Sequence, residues 1–232
     1  WMLFLRKASN APRLFTSPSR GDLFVILLEE DGLILINKPA GVPTAGDTLE
    51  QPGSIQYELM QSYRRMIWAV HQLDKDTSGL NVFVRRKALV QTWTELLKRG
   101  QKEYLVMCHG TLASTLVVDA PTDWIPEKRQ RGVIESGKPS KTEFRVLDTH
   151  GGFSLLAAKL HTGRTHQIRV HLEHTGHPLV GEQRYIEAPC GIAPRQMLHA
   201  WRLDVPEHTL PAAPLPDDFA ATCQELGLTF SE

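Results

Sequence analysis

The chain has few of the features that mark secreted, membrane or metal-dependent proteins. Its 232 residues include three cysteines, Cys108, Cys190 and Cys223. Their wide spacing gives neither a disulfide framework nor a metal-ligand set, which fits a reducing compartment. No apolar run is long enough to cross a bilayer. Excess charge is absent as well, because 26 Lys plus Arg balance 26 Asp plus Glu. Overall neutrality does not exclude nucleic acid, which needs only a local basic patch. There is no internal repeat and no low-complexity linker. The length, with 41% hydrophobic residues, suffices for one packed domain or one domain built in two halves.

The first twenty residues contain no acid and are rich in Arg and Ser. That composition suits a mitochondrial presequence and equally an irregular bacterial N-terminus, which we favour. MLFL is too short for a secretory apolar core. A cytoplasmic protein is therefore expected, with a mitochondrial one as the alternative.

Apolar runs at residues 25–28 and 33–37 flank Asp31-Gly32 and predict a β-hairpin. Ser54 is placed to cap a helix with Ile55, Leu59 and Tyr63 on one face. Short strands are expected at 67–70 and 79–84, then a helix over 87–98 with Gly100 as its stop. Residues 104–108 read as a strand. Residues 142–147 and 153–160 read as a second hairpin around Thr149-His150-Gly151-Gly152. The stretch 165–175 is ambiguous by period, and Gly176-His177-Pro178 argues for a helix. A strand over 197–205 and a last helix capped by Asp217 complete the reading. Strands joined as hairpins dominate, so the fold class is α+β with a mixed, mostly antiparallel sheet.

Three motifs point to other chemistries and lack a needed part. Residues 132–138 spell G-x-x-x-x-G-K, but Pro139 stands where a Mg-binding hydroxyl is required. The next residues, SKTEFRVL, read as a strand, so no helix N-terminus faces a phosphate. Residues 132–138 read instead as a basic loop. His166, His171, His174 and His177 cluster, yet no nearby Cys or Asp completes a metal shell. Solvated or backbone-bonded histidines are expected there. Asp76-Thr77-Ser78-Gly79 is similar to an aspartic-protease loop, which requires a second copy that the chain does not have.

Three separated segments carry the strongest signal: HQLDKDTSGL at 71–80, KEYLVMCHG at 102–110, and GRTHQIRVHLEHTGHPLVGEQRY at 163–185. Together they supply an Asp, a Tyr and an Arg, able to hold a carboxylate ionised while an aromatic ring stacks on a flat substrate. In these residues the chain resembles the RluA family of pseudouridine synthases. The family signature H-R-L-D-x-x-T-S-G-L is matched at 71–80 except at Gln72. Further matches are N-K-P-x-G at 37–41, K-x-Y at 102–104, G-R-T-H-Q-I-R-V-H-L at 163–172 with G-H-P at 176–178, and L-H-A at 198–200. They occur in the family's order from about residue 23 to about residue 220.

The resemblance implies a pseudouridine synthase fold over 23–232, preceded by an N-terminal extension at 1–22. No S4 domain is expected, since about twenty residues cannot form one. It implies isomerisation of uridine in ribosomal or transfer RNA, with no cofactor and no metal. It makes Asp74 the catalytic carboxylate, which attacks C1′, adds to the uracil ring or assists proton removal from the sugar. Arg164 matches the family's Arg that pairs with this Asp. Tyr104 matches the Tyr that stacks on uracil, and Leu198 a pocket wall. His71 and Gln72 belong to the motif that contacts the flipped base. Gln72 replaces an Arg that fills the vacated stack, losing the charge and the flat guanidinium.

The expected partner is an RNA stem-loop, bound by a monomer through basic residues such as Lys128, Arg129, Arg131, Lys138 and Lys141. Two rivals stand beside this reading. One is an RNA-binding or assembly protein on the same fold with weakened catalysis. The other is a glycosidase using Asp74 and Asp76, although two carboxylates so close in a loop are poorly placed to flank a glycosidic bond.

Overall fold

The computed structural model describes residues 24–49, 51–187 and 191–231. The extension at 1–22 lies outside the described residues. Strands β1 (Val25–Glu30) and β2 (Leu33–Lys38) form the expected hairpin. Its turn residues Asp31 and Gly32 have φ of 47° and 88°, the paired positive values that match strand twist. Helix α1 (Ile55–Tyr63) is capped by Ser54, whose hydroxyl accepts the Tyr57 N–H at 3.2 Å. Strands β3 (Trp68–Ala69) and β4 (Ser78–Val84) bracket the 71–80 motif.

Helix α2 (Ala88–Arg99) ends at Gly100 as expected, but not through a left-handed residue, since Gly100 has φ −81°. A Cβ there would lie 2.3 Å from the Asp204 carbonyl, so close packing requires the glycine. Strand β5 (Gln101–His109) follows.

The reading from sequence does not separate the next three strands, β6 (Leu116–Asp119), β7 (Thr122–Ile125) and β8 (Gln130–Val133). Each has four residues, too few for a clear two-residue period. Residues 132–138, expected as a loop, begin inside β8. The β9 (Lys141–His150) and β10 (Phe153–Leu160) hairpin has a tighter turn than expected, formed by Gly151 and Gly152 alone. Helix α3 (Gln167–His174) resolves the ambiguous stretch as helical. Strand β11 (Leu198–Asp204) and helix α4 (Asp217–Glu225) complete the chain. Asp217 is not the cap of α4. Pro216 occupies that position, and Asp217 and Asp218 lie in the first turn, where carboxylates still meet the positive helix end.

The main sheet has strand order β1-β2-β4-β11-β5-β10-β9-β6, with β3 also on β4; β7 and β8 form a separate ribbon. Every pairing is antiparallel except β4 with β11, which run parallel. Alternation along the strands places helices on opposite faces. Leu33 and Leu35 of β2 pack with Trp93 and Leu97 of α2, whereas Ile34 and Ile36 pack with Ile55 and Leu59 of α1. On β5, Tyr104 and Val106 meet Ile168 and Leu172 of α3, and Leu105 and Met107 meet Phe219 of α4. All seven residues of β4 are buried.

The parallel seam pairs Ser78 with His199 and Gly79 with Ala200. Gly79 has φ 108°, and a Cβ on it would lie 2.2 Å from the Ala200 carbonyl oxygen. Gly79→Ala should therefore destabilise the chain by roughly 2–4 kcal/mol, the scale of backbone strain plus overpacking. Gly151→Ala, also at positive φ but in open space, serves as the control and should cost less. Urea unfolding midpoints test this, and equal shifts for the two variants would refute it.

Candidate active site

Asp74 lies in the loop between β3 and β4, and its placement depends on how that loop is held. Several of the loop's carbonyls are captured by side chains from other segments. Asn81 donates to the His71 carbonyl at 3.1 Å. Lys38 donates to that of Lys75 at 2.9 Å, and Arg195 to that of Asp76 at 2.9 Å. The Thr44 hydroxyl accepts the Leu73 N–H at 3.1 Å and donates to Asn81 at 2.9 Å. Within the loop, the Thr77 N–H closes a turn onto the Asp74 carbonyl at 3.0 Å. Buried polar groups tied this way leave the backbone few alternatives.

Lys38 comes from the N-K-P-x-G segment and is fully buried. Its ammonium also donates to the carbonyls of Pro39 and Val42 at 2.8 and 2.7 Å. Burial pulls its pKa down to about 7; Asp76 and Asp74 oppose the shift and Arg195 adds to it. Arg195 ties the loop to the C-terminal helix. It donates to the Ser78 hydroxyl at 3.2 Å and to Asp218 of α4 at 2.6 and 2.9 Å. Neither role is legible in the sequence, although Lys38 lies in a motif that is.

The Asp74 carboxylate faces Arg169 at 3.1 Å. Arg169, in the first turn of α3, makes a two-pronged contact with Glu182 at 2.8 and 2.7 Å. Glu182 is 1% exposed and also accepts the backbone N–H groups of Gln183 and Arg184. Burial alone would raise its pKa; the bonds and charge of Arg169 outweigh this and lower it. The Tyr185 ring lies 5.0 Å from the Arg169 guanidinium, a cation–π contact. His166 precedes α3 in a left-handed conformation, φ 58°. Its Nε2 is 3.6 Å from Asp74, and its Nδ1 bonds the Tyr185 hydroxyl.

The expected pairing of Arg164 with Asp74 is therefore corrected: Arg169 is the partner. Arg164 precedes the turn that starts α3, is exposed, and donates through Nε to the Pro139 carbonyl at 3.1 Å. Arg169 is inside the helix, between the buried Ile168 and Val170, and is directed inward. The signal is present in the sequence: G-R-T-H-Q-I-R contains two arginines, and helical phase favours the second once the start of α3 is known.

Asp74 borders a cleft of about 270 Å³ with His71, Gln72, Tyr104, Arg164 and Leu198 on its walls. The cleft thus brings together all six residues singled out from the sequence. Tyr104 is 8% exposed. Burial, with the Asp74 charge adding to it, lifts its hydroxyl pKa well above the ordinary range, so the phenol keeps its proton. Lys102 joins the lining, and burial lowers its pKa. His71 has a structural duty too, since its Nε2 accepts the Val82 N–H at 3.2 Å. Burial, followed by Lys102, lowers its pKa to about 4, which keeps the ring neutral. Gln72 is exposed at the rim.

Asp74, His166 and Arg169 also border a second, more polar cleft of about 480 Å³, which contains Asp76, Arg184 and Arg195. The histidine cluster has structural partners. His171 uses both ring nitrogens, on Thr142 at 2.9 Å and on the Ala120 carbonyl at 3.0 Å.

Residues 32–174, more than half of the chain, match the RNA pseudouridylate synthase family. Ribosomal large subunit pseudouridine synthase D of Nitrosomonas europaea is 39% identical over 87% of this chain and 64% of its own length. A Chloroflexus aurantiacus protein named as an RNA pseudouridine synthase is 35% identical over 82% of this chain and 65% of its own. The chain thus spans less than two thirds of either relative. The solved structure of human RNA Pseudouridylate Synthase Domain Containing 4 shares the fold, with a TM-score of 0.73 at 23% identity. That match covers 89% of this chain and 94% of the human one. The chain belongs to the RNA pseudouridylate synthase family, of the RluA type, as its ordered motifs suggest.

Arg169 separates two carboxylates, and its removal strands Glu182 in the interior. Arg169→Met should cost about 3–5 kcal/mol, the range for breaking a buried ion pair. Adding Glu182→Leu should restore at least half of that loss, because the uncompensated charge goes with it. Urea unfolding of the single and double variants measures both, and a double variant as unstable as the single would contradict the assignment.

Proposed function

We propose that this chain isomerises uridine to pseudouridine in RNA, with ribosomal large-subunit RNA as substrate and Asp74 as the catalytic carboxylate. The observation that carries the reading is the Asp74 carboxylate, held against Arg169 at the edge of a cleft whose other walls are Tyr104 and Leu198. The cleft is small and mixed in polarity, which suits one extruded base rather than a duplex. The name of the Nitrosomonas relative supports the ribosomal assignment. A transfer RNA target is the narrower alternative.

The reaction needs no net transfer. The C1′–N1 bond breaks, the uracil turns, C1′ bonds to C5, the C5 proton leaves and N1 regains a proton. Asp74 and Tyr104 line the same cleft, so a uridine seated there presents its sugar to the carboxylate and its base to the phenol ring. Arg169 keeps the carboxylate oriented, Glu182 keeps Arg169 oriented, and His166 contacts the second carboxylate oxygen. The loop around Asp74 is fixed by Lys38, Asn81 and Arg195 before substrate arrives, as electrostatic preorganisation requires.

RNA carrying tritium at uridine C5 tests the reading. The wild-type chain should release tritium, and Asp74→Asn should reduce release by at least a thousandfold, on the scale of losing an essential group. Release from no cellular RNA fraction would instead favour a binding protein on this fold. A second measurement addresses the rim. Gln72→Arg should keep or raise turnover on a structured stem-loop and matter less on unpaired RNA. Equal effects on both substrates would remove position 72 from base flipping.

A further inference from the structure

The β7–β8 ribbon stands outside the main sheet and carries a side chain that its own packing does not explain. Trp124 is 44% exposed, one of four exposed large apolar side chains among the described residues. It faces Arg131 across the ribbon, the position at which cross-strand side chains share a face. The connection between the strands is short and cationic. In the six residues PEKRQR, Lys128, Arg129 and Arg131 stand against Glu127 alone. Arg131 is 3.6 Å from Asp123, whereas Lys128 and Arg129 are exposed and make no ion pair among the described residues.

The ribbon's root is fixed to helix α3 and its entry. Thr122 and Ser140 hydrogen-bond through their hydroxyls at 2.7 Å, closing the base. His171 holds the Ala120 carbonyl at 3.0 Å, Gln167 holds that of Lys141 at 3.0 Å, and Arg164 holds that of Pro139 at 3.1 Å. All three side chains belong to α3 or its entry, the segment that brings His166 and Arg169 to Asp74. An arm anchored this way keeps its tip at a set distance from the cleft.

We propose that the β7–β8 ribbon is an RNA-docking arm, with Trp124 stacking on an unpaired base outside the cleft and Lys128 and Arg129 contacting the flanking phosphates. The inference rests on the RNA reading above and extends it to a second contact point on the same strand. A flat aromatic beside unpaired cations fits a nucleic acid, whose bases all present a π-face and whose backbone is anionic. A protein partner would call for a broader apolar patch than one indole.

Binding of transcribed large-subunit ribosomal RNA, followed by fluorescence anisotropy of labelled RNA across a salt series, tests the arm. Trp124→Ala should raise Kd at least fivefold, and Trp124→Phe, which keeps a stacking face, should stay within about twofold of wild type. Lys128→Ala with Arg129→Ala should flatten the slope of log K against log salt by about 1.4–1.8, the value for two lost phosphate contacts. A wild-type chain that releases tritium from RNA while all these variants bind as it does would overturn the arm alone. That outcome would leave Trp124 as a contact for a protein. A wild-type chain that neither binds RNA nor releases tritium would overturn the enzymatic reading and the arm together.

Discussion

One buried guanidinium organises the site. Arg169 lies between Asp74, which borders the cleft, and Glu182, which meets almost no water. Neither carboxylate is well placed without it: Glu182 would be a bare interior charge and Asp74 would lose its orienting partner. A lysine could not substitute, because only a planar fork can make a two-pronged contact on one side and still direct a third N–H to the other. Helix α3 is positioned to serve this residue. Gln167 and His171 tie it to β9 and to the segment before β7, and Ile168 and Leu172 seat it on β5.

The loop bearing Asp74 is controlled differently. Its own residues supply one turn bond, and side chains from β2, β4 and the segment before β11 capture its carbonyls. Keeping Lys38 buried is costly, since desolvation disfavours its charge. Three carbonyl acceptors and two nearby aspartates offset that cost. Lys38 therefore serves as a fastener, although its chemistry would equally suit a phosphate ligand.

The fold class, the two hairpins and most helices were legible because long periods and paired turn residues report directly on local geometry. Ser54 and Asp31-Gly32 behave as their chemistry requires. The failures share a cause. Strands β6 to β8 are four residues long, and Asp217 is displaced from its cap by Pro216, so neighbouring chain segments decide the outcome there. The site residues were legible as a set, through motifs in order. Their pairing was not, because which arginine reaches Asp74 depends on where α3 begins. Glu182 and Arg195 were invisible for a similar reason: each matters through partners far away in sequence, Arg195 through residues 76, 78 and 218.

The parallel seam between β4 and β11 joins Ser78 to His199, positions separated by some 120 residues. Long-range pairings close late, because loop entropy must be overcome before the contact contributes. A ribosome making this chain will have released the Asp74 loop well before Leu198 exists to wall the cleft. The loop's fasteners arrive in the same staggered order, Lys38 early and Arg195 late. The cleft beside Asp74 is therefore among the last parts of the described fold able to close, since its wall at Leu198 and its fastener at Arg195 both come from the far side of that gap.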